Sequence, residues 1–257
     1  FDGNAARGSA RIQAAVLVLD PQTGRPVALL EGGTLTALRT AAASGLATKL
    51  LAREDARTLA LFGTGVQARE HVEAMLTVRP IERIWIRARD PARTEAFLCK
   101  LRAQHGEAVD LRVAGSAHEA LASADIVCTT TNADVPLFED ADLRPGTHVN
   151  AIGSFTPAAH EIPPRTVARA RVFVDSRSAA GKEAGDLIQA RTLGLLAEPF
   201  LPTEIGELVL GRSGGRADQA ELTLFKSVGL AVQDAVAARR AVEAARQLGL
   251  GTHVDWP

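Results

Sequence analysis

The sequence predicts an α/β protein in which a doubly wound, mainly parallel sheet is inserted into a second α+β domain formed by the two chain ends. Short apolar runs alternate with helical stretches from residue 58 to residue 174, as in consecutive βαβ units. A glycine-rich turn follows the first of these runs, and the strand patterns stop after residue 185. We therefore expect a central domain at 53–221 and a second domain made of 1–52 and 222–257.

The N-terminal region predicts a hairpin followed by a helix. Residues 11–19 and 26–30 are rich in apolar and β-branched side chains, and the turn sequence DPQTG separates them. Residues 34–51 are rich in alanine and leucine, and Thr34 or Thr36 can cap the first turn. These patterns predict an antiparallel pair of strands and one long helix.

The central and C-terminal regions supply the remaining elements. Apolar runs predict strands at 58–62, 83–86, 111–114, 124–130, 148–152 and 171–174. Helical patterns lie between those strands at 66–76, 91–105 and 117–122. After the strands, helices are predicted at 201–210 and 222–248, the second interrupted near Gly229.

Composition and charge exclude several classes of function. Of the 257 residues, 46% are hydrophobic and 23% are charged, which is close to the average of globular proteins. The formal net charge of -1 lacks the basic excess of a nucleic-acid-binding protein. No apolar run approaches the ~18 residues of a membrane span, and no secretory signal is visible. Cys99 and Cys128 lack metal-ligand spacing, so we expect a cytoplasmic protein without a metal.

The strongest local motif is the turn GTGVQA, which begins at Gly63 directly after an apolar strand and opens a helix. Gly63 permits a tight turn, Gly65 lets the backbone approach a pyrophosphate, and Ala68 lets the helix pack closely on the strand. Phosphates then lie at the positive end of the helix dipole. The motif predicts a Rossmann-type dinucleotide site. The turn residues expected to contact the cofactor are Gly63, Thr64, Gly65, Val66 and Gln67.

The second strand of the central domain bears on the choice of cofactor. NAD sites carry Asp or Glu about 20 residues past the glycines, where it binds the ribose 2′-hydroxyl. Arg87 stands there, 24 residues after Gly63, with Arg89 beside it, and arginine can bind a 2′-phosphate. The pattern favours NADP(H) over NAD(H), although both arginines could also be ordinary solvated charges. Asp90, next to Pro91, is expected to cap the following helix.

Polar residues end two further strands. The strand at 124–130 ends in threonines, and a Gly–Ser pair follows the strand at 148–152. The carboxyl ends of strands line the ligand crevice in sheets of this type. The residues expected to contact the ribose or the nicotinamide are Thr129, Thr130, Asn132, Gly153 and Ser154. For each of them, turn chemistry alone explains the residue type equally well.

Four stretches, taken together, resemble one family. They are LTALRTAA from Leu35, the Gly63 turn with Gln67, NAIGS from Asn150, and FKSVG from Phe225 followed by Asp234. On these motifs the chain resembles the ornithine cyclodeaminase/mu-crystallin family over essentially its whole length. The resemblance implies homodimers, a dinucleotide domain inserted into a substrate and dimerisation domain, and NAD(P)-dependent chemistry on small α-imino or α-amino acids.

The resemblance also bears on the substrate site. Family members carry a further N-terminal segment with an arginine and a lysine at this site, so we expect the sequence to begin within a longer protein. Ser227 and Gly229 are expected near the substrate and Val228 near the nicotinamide, although this stretch could be only a helix start. Asp234 is expected to face a partner within the fold.

Phe155 bears on the type of reaction. Cyclodeaminases of the family carry an aspartate two residues after the glycine that corresponds to Gly153, and this chain has Phe155 there. A phenyl ring cannot accept a proton, and general acid–base groups contribute ~10²–10⁴-fold to a rate. The GSFTP version looks more like the ketimine reductase branch. There Phe155 is expected to contact a flat apolar ring, with plain packing as the alternative.

Arg39 is the residue expected to bind the substrate carboxylate. It lies in a predicted helix with few other charges, and a guanidinium can bind a carboxylate bidentately. Pairing with a buried acid is its alternative role. Thr40 beside it is expected on the nicotinamide side. No residue stands out as a certain catalytic acid, base or nucleophile.

These residues favour NAD(P)H-dependent reduction of a cyclic imino acid, of the Δ1-pyrroline-2-carboxylate or Δ1-piperideine-2-carboxylate type, to the L-amino acid. Such a reaction needs mainly a carboxylate anchor and correct placement of a hydride donor. Ornithine cyclodeaminase, which converts L-ornithine to L-proline and ammonia, is the first alternative. A non-catalytic NADP-dependent binding protein of the mu-crystallin type is the second. No nucleic-acid or membrane partner is expected.

Overall fold

The computed structural model describes residues 2–8 and 13–255, and these residues form two compact units. The smaller unit contains the residues up to 40 and those from 230 onward, and the larger unit contains 41–229. These boundaries differ from the predicted domain boundaries at 52/53 and 221/222. The functional assignment of the two domains stays a prediction.

The smaller unit contains the predicted hairpin. Strands β1 (Ala15–Leu19) and β2 (Pro26–Glu31) pair antiparallel, and Asp20 accepts backbone hydrogen bonds within the turn between them. Helix α1 (Gly32–Leu51) begins in this unit, and helix α9 (Ala231–Leu248) packs on β1. Residues 11 and 12 of the predicted first strand lie outside the described residues.

The larger unit, which the structure describes completely, is built on an eight-stranded parallel sheet with the order β5-β4-β3-β6-β7-β10-β8-β9. Its strands are β3 (Thr58–Phe62), β4 (Arg83–Arg87), β5 (Asp110–Val113), β6 (Ile126–Thr129), β7 (His148–Ala151), β8 (Arg171–Val174), β9 (Thr203–Glu204) and β10 (Thr223–Lys226). Its helices are α2 (Val66–Val78), α3 (Pro91–His105), α4 (Ala117–Leu121), α5 (Pro164–Arg169), α6 (Arg177–Glu183), α7 (Gly185–Thr192) and α8 (Ile205–Val209).

The sheet is buried on both faces. Leu59 and Leu61 of β3 belong to one apolar cluster, and Ala60 and Phe62 belong to another, because successive side chains of a strand point to opposite faces. Strands β6, β7 and β10 are buried along their whole length, as expected for a parallel sheet covered by helices on both sides. The predicted fold class, α/β with a doubly wound sheet, is confirmed.

The two C-terminal helix predictions need correction. Residues 223–226 form β10 between β7 and β8, and the last helix begins only at Ala231. A short, fully buried strand has no polar alternation that distinguishes it from a helical segment. The predicted helix at 201–210 is the two-residue strand β9 followed by the short helix α8.

Candidate functional site

The larger unit has a crevice at the point where the strand order reverses. The chain runs from β3 outward to β4 and β5 and then returns to β6 on the other side of β3. Ligands of open α/β sheets bind at such a switch point, outside the carboxyl ends of the strands. A cavity of about 420 Å³ lies here, between the turn after β3 and the segment after β6. Its volume lies within the range of about 300–1,000 Å³ that is usual for cofactor sites.

The turn between β3 and α2 requires glycine at position 63. Gly63 has a φ of 111°, and a Cβ atom there would lie 2.8 Å from the Thr130 hydroxyl oxygen. At Gly65, by contrast, nothing lies within 4 Å of the Cβ position. Gly65 directly precedes the first turn of α2, where unpaired amides and the helix dipole favour a phosphate. The open space beside these amides is the room that a pyrophosphate requires.

Gln67, in the first turn of α2, gives a second indication of a ligand. Its Oε1 atom is buried and has no hydrogen-bond partner in the described part of the chain. Buried polar atoms are nearly always paired, so this oxygen is an acceptor available to a donor of a bound ligand. The ribose hydroxyls and the carboxamide of a nicotinamide dinucleotide are donors of this kind. The turn, the cavity and Gln67 therefore fit such a cofactor.

Three arginines line the cavity near the end of β4. Arg87 and Arg89 are expected from the sequence, and Arg93 in the first turn of α3 is the third. Within 2–8 and 13–255, no Asp or Glu side chain forms an ion pair with any of the three. Asp90 caps α3, as predicted, by accepting a hydrogen bond from the Arg93 amide at 3.1 Å. Arg93 is not among the residues predicted from the sequence, although its position three residues after a helix cap is a signal for it.

The three residues predicted to contact the cofactor at the end of β6 lie in different surroundings. Thr130 and Asn132 line the cavity. Thr129 is fully buried, and its hydroxyl donates to Glu161 Oε2 at 2.9 Å. The Thr130 hydroxyl donates to the Phe62 carbonyl at 2.9 Å. Contact with a cofactor stays a prediction for all three residues.

The segment after β7 lies against the segment after β6. A Cβ atom on Gly153 would stand 2.1 Å from the Thr131 carbonyl oxygen, so only glycine fits there. Ser154 is fully buried, and its hydroxyl donates to the Ala159 carbonyl at 2.5 Å. Phe155, the next residue, is 58% exposed. The structure thus brings the ends of β3, β6 and β7 to one edge of the sheet.

Asp175, directly after β8, holds the segment that follows β10. Its Oδ2 atom accepts hydrogen bonds from the Ser227 hydroxyl at 2.9 Å, the Val228 amide at 2.9 Å and the Gly229 amide at 2.7 Å. The three predicted residues are therefore fixed at the carboxyl-terminal edge of the sheet. Asp175 is not among the residues predicted from the sequence, where its signal is an aspartate at the end of a short buried strand.

Three ionisable side chains lie beneath these segments without exposed surface: Glu161, Asp186 and Lys226. Lys226 Nζ lies 2.9 Å from Asp186 Oδ2 and also donates to the Ser154 carbonyl. Burial raises the pKa of Glu161, and the nearby Lys226 charge opposes that shift. Ionisable side chains are almost never fully buried unless they are paired, and these three lie at one edge of the sheet.

Arg39, in the smaller unit, is already paired. Its Nε donates to Asp234 Oδ1 at 2.9 Å and its Nη1 to Gln233 Oε1 at 3.1 Å. The Arg39 side chain is 14% exposed and that of Asp234 is 36% exposed, so Arg39 pairs with an acid, as in its alternative role, but that acid is only partly buried. Thr40 is buried, and its hydroxyl donates to the Thr36 carbonyl at 2.6 Å. Substrate binding by Arg39 and a nicotinamide contact by Thr40 stay predictions.

In the part of the chain that the structure describes, residues 2–8 and 13–255, no three His, Cys, Asp or Glu side chains cluster in a way that could hold a metal ion. None of its helices is long and apolar enough to cross a membrane.

Comparisons with known proteins agree with this geometry. A model of the ornithine cyclodeaminase/mu-crystallin family matches residues 1–248. The Δ1-pyrroline-2-carboxylate reductase of Bacillus cereus is 41% identical over 250 residues, which are 97% of this chain and 76% of that relative. The solved structure of Thermococcus litoralis Δ1-pyrroline-2-carboxylate reductase in complex with NADH and L-proline aligns with a TM-score of 0.94 and 38% identity, covering 99% of this chain and 78% of that one. An archaeal alanine dehydrogenase dimer with bound NAD aligns with a TM-score of 0.90 and 30% identity, over 99% and 78% of the two chains.

Proposed function

The chain belongs to the ornithine cyclodeaminase/mu-crystallin family, and on this premise we propose that it reduces a small cyclic imino acid to the L-amino acid with a nicotinamide cofactor. The substrate is of the Δ1-pyrroline-2-carboxylate or Δ1-piperideine-2-carboxylate type. The observation that carries the proposal is the similarity, over almost the whole chain, to a reductase structure that holds NADH and L-proline. L-Proline is the product that reduction of Δ1-pyrroline-2-carboxylate gives.

In the proposed reaction the main task of the protein is to position the cofactor and the substrate. The cofactor, when bound, supplies the hydride that the carbon of the protonated imine accepts. The Gly63–Gly65 turn and the first turn of α2 would hold its pyrophosphate, and Gln67 would accept one of its hydrogen bonds. Thr130 and Asn132 would line its nicotinamide half. The rate then depends on how well the two reacting carbons are aligned.

Arg39 is the proposed anchor for the substrate carboxylate. Its bonds to Asp234 and Gln233 hold the guanidinium in one orientation, and they do not use Nη2. A carboxylate bound to this nitrogen would gain a charge-assisted hydrogen bond. Phe155 stands where the resemblance implies the acid–base aspartate of cyclodeaminases, so ring formation with loss of ammonia lacks its proton acceptor.

NADP(H) is the proposed cofactor in preference to NAD(H). Arg87, Arg89 and Arg93 line one cavity, and Asp90 is engaged in capping α3. A 2′-phosphate would neutralise this cluster of positive charge, whereas a 2′-hydroxyl would not. The two solved neighbours hold NADH and NAD, so the preference has to be measured for this chain.

A homodimer is the proposed assembly. The hairpin exposes one continuous apolar face, formed by Leu17, Leu19, Val27 and Leu29. Single protein chains seldom leave such a patch in water, and a solved neighbour is a dimer.

Leu29→Glu should raise the monomer fraction in sedimentation equilibrium, whereas Leu248→Glu, at an exposed end of α9, should not. If the Leu29→Glu variant dimerises as well as the unmodified protein, the hairpin face is not part of the dimer interface.

The test of the function is cofactor oxidation with Δ1-pyrroline-2-carboxylate, with NADPH and NADH assayed in parallel. Arg39→Ala should lower kcat/KM about 100-fold, because a charged hydrogen bond to the substrate contributes about 1.5–3 kcal/mol. Arg240→Ala, at an exposed arginine of α9, is the matched control and should leave kcat/KM unchanged. Turnover that collapses only in Arg39→Ala supports the reaction and the anchor together.

Absence of turnover despite cofactor binding would contradict the proposal. Ammonia release from L-ornithine would then indicate a cyclodeaminase. Tight binding of a small ligand without oxidation of the cofactor would indicate a binding protein of the mu-crystallin type.

A further inference from the structure

Glu161 joins the ends of two neighbouring strands through a buried carboxylate. Its Oε1 atom accepts hydrogen bonds from the Thr131 amide and the Thr131 hydroxyl, each at 2.7 Å. Its Oε2 atom accepts from the Gly153 amide at 2.7 Å and the Thr129 hydroxyl at 2.9 Å. The two backbone amides can only donate, and each requires a different oxygen of the carboxylate. Glu161 is thus a bridge between the segment after β6 and the segment after β7.

The bridge fixes a very close approach of two backbones. A Cβ atom on Gly153 would meet the Thr131 carbonyl at 2.1 Å and Glu161 Oε1 at 2.5 Å. The Thr131 hydroxyl also accepts a hydrogen bond from the Ala133 amide at 3.0 Å. Through Thr131, the carboxylate therefore sets the path of 130–133, which lines the cavity of the candidate site.

A second layer of charges holds Glu161 itself. The amides of Glu161 and Ile162 donate to Asp186 Oδ1 at 2.7 and 2.9 Å. Asp186 pairs in turn with Lys226, whose ammonium group donates to the Ser154 carbonyl. The three ionisable groups connect the ends of β6, β7 and β10 to helix α7.

Stability alone is a weak explanation for this network. Removing charges from water costs more than their mutual attraction usually returns, and apolar side chains of the same volume often stabilise a fold better. Three ionisable side chains without exposed surface nevertheless lie beneath the segments that follow β6, β7 and β10, and the first of these segments lines the cavity. What they supply, and apolar packing does not, is a fixed spacing between two backbone segments.

We propose that Glu161 is a positioning residue for hydride transfer, which sets the distance between 130–133 and Gly153 and thereby the place of the nicotinamide ring. The inference rests on the proposed function. Its physical basis is that misplacement of a reacting centre by about 1 Å can cost on the order of 100-fold in rate. Glu161 bonds directly to Thr129, Thr131 and Gly153 and to none of the three arginines, so the adenosine half that we propose to bind at the arginines should depend on it less.

Glu161→Gln tests the proposal with little change of shape. An amide has one acceptor oxygen, so either the Thr131 or the Gly153 amide loses its partner. We expect single-turnover hydride transfer to slow by about 30–100-fold. Affinity for NADPH should fall by about 10-fold, whereas affinity for the fragment without nicotinamide, ADP-ribose or its 2′-phosphate, should change by less than about twofold.

Asp125→Asn is the matched control. Asp125 accepts the amides of Arg57 and Thr58 at the opposite, amino-terminal edge of the same sheet. This variant should lower Tm without changing hydride transfer or either affinity. Thr131→Val, which removes the hydroxyl link between Glu161 and Ala133, is the second test variant if Glu161→Gln does not fold. It should reproduce the same pattern in weaker form.

Two outcomes overturn the proposal. In one, hydride transfer in Glu161→Gln stays within twofold of the unmodified protein. In the other, affinity for the fragment without nicotinamide falls as much as affinity for NADPH, which means that Glu161 only stabilises the fold. If the unmodified protein shows no turnover, the proposed function fails, and the contrast between the two affinities still decides whether Glu161 positions the nicotinamide half.

Discussion

The two edges of the central sheet differ in how their charged groups are paired. At the amino-terminal edge, the Asp125 carboxylate accepts the backbone amides of Arg57 and Thr58 at 2.9 and 3.0 Å. Arg79 donates to four carbonyls at or just after the end of α1, at 2.8–3.1 Å. Arg216 donates to the Leu51 carbonyl at 2.7 Å. These charged groups find their partners within the protein.

At the carboxyl-terminal edge the pairing is incomplete. Arg87, Arg89 and Arg93 line a cavity and form no ion pair with an acid in the described part of the chain. Gln67 leaves a buried oxygen unpaired, and Gly65 faces open space. The difference is the one we expect if the amino-terminal edge supplies stability and the carboxyl-terminal edge binds the proposed cofactor, since the ligands of parallel sheets lie at the carboxyl ends of the strands.

The amino-terminal edge gives the largest expected effect. Arg79→Met keeps the aliphatic stem of the side chain but removes the Arg79 donor from the carbonyls of Lys49 and Ala52, and one of two donors from the Thr48 carbonyl. We expect the free energy of unfolding, measured by urea denaturation, to fall by about 3–5 kcal/mol. The kinetic constants of the folded protein should not change. Arg69→Met, at an exposed arginine of α2, is the control. An equal loss of unfolding free energy in this variant would contradict the stabilising role assigned to the amino-terminal edge.

The carboxyl-terminal edge gives the next effect, and it should appear in binding. Gly63→Ala places a Cβ at a φ of 111° and within 2.8 Å of the Thr130 hydroxyl. Strain of about 2–3 kcal/mol should weaken cofactor affinity by about 100-fold, as measured by calorimetric titration. Gly181→Ala, where the added methyl group meets nothing within 4 Å, should bind the cofactor normally. If Gly63→Ala binds the cofactor with unchanged affinity, the turn is not part of the cofactor site.

His148 gives the amino-terminal edge a dependence on pH. It begins β7, is fully buried, and its Nδ1 lies 2.9 Å from the Thr223 hydroxyl. Burial, and to a smaller extent the Arg216 charge, lowers the pKa of His148 from 6.5 to about 3. The unfolded chain takes up a proton at this ring below pH 6.5, whereas the folded protein does not until about pH 3. The stability that neutral His148 contributes is therefore present above pH 6.5 and is lost as the pH falls toward 3.

Urea denaturation at two pH values measures this contribution. Between pH 7 and pH 5, the unmodified protein should lose about 2 kcal/mol more of its unfolding free energy than His148→Gln does. His253→Gln, at an exposed histidine, should behave like the unmodified protein. An unaltered pH dependence in His148→Gln would show that the buried ring does not titrate as its surroundings require.

The smallest expected effect separates the two cofactors. Replacing Arg87 and Arg89 together with alanine removes two of the three positive charges from the cavity. The KM for NADPH should rise by about 10-fold, which corresponds to about 1.4 kcal/mol, while the KM for NADH changes by less than about twofold. Steady-state kinetics with both cofactors measures the difference. Equal changes for NADPH and NADH would assign the arginines to the pyrophosphate or to solvent.

The sequence predicted the parts of the site that depend on local geometry. The Gly63 turn and the Asp90 cap are each specified within a few residues, so their motifs could be recognised in isolation. Asp175 escaped recognition because it acts on residues that lie 52 to 54 positions further along the chain, at Ser227, Val228 and Gly229. Such partners meet only when the sheet order is known.

Two further differences have the same physical origin. Residues 223–226 were predicted as helix, since a short buried strand shows no alternation and its alanine-rich neighbours favour a helix. The sequence leaves open whether Arg39 binds a substrate or pairs with an acid, and the structure pairs it with Asp234, 195 positions further along the chain. Spacing along the sequence indicates a charge but not its partner.

Amide hydrogen exchange with and without NADPH tests the central claim most directly, since it compares the two edges in one experiment. If the carboxyl-terminal edge binds the cofactor, exchange should slow at 63–67 and 130–133, which form or border the cavity, and should not change at 53–58 or 216–223. Protection confined to 53–58 and 216–223, or none at 63–67 at saturating NADPH, would contradict the account.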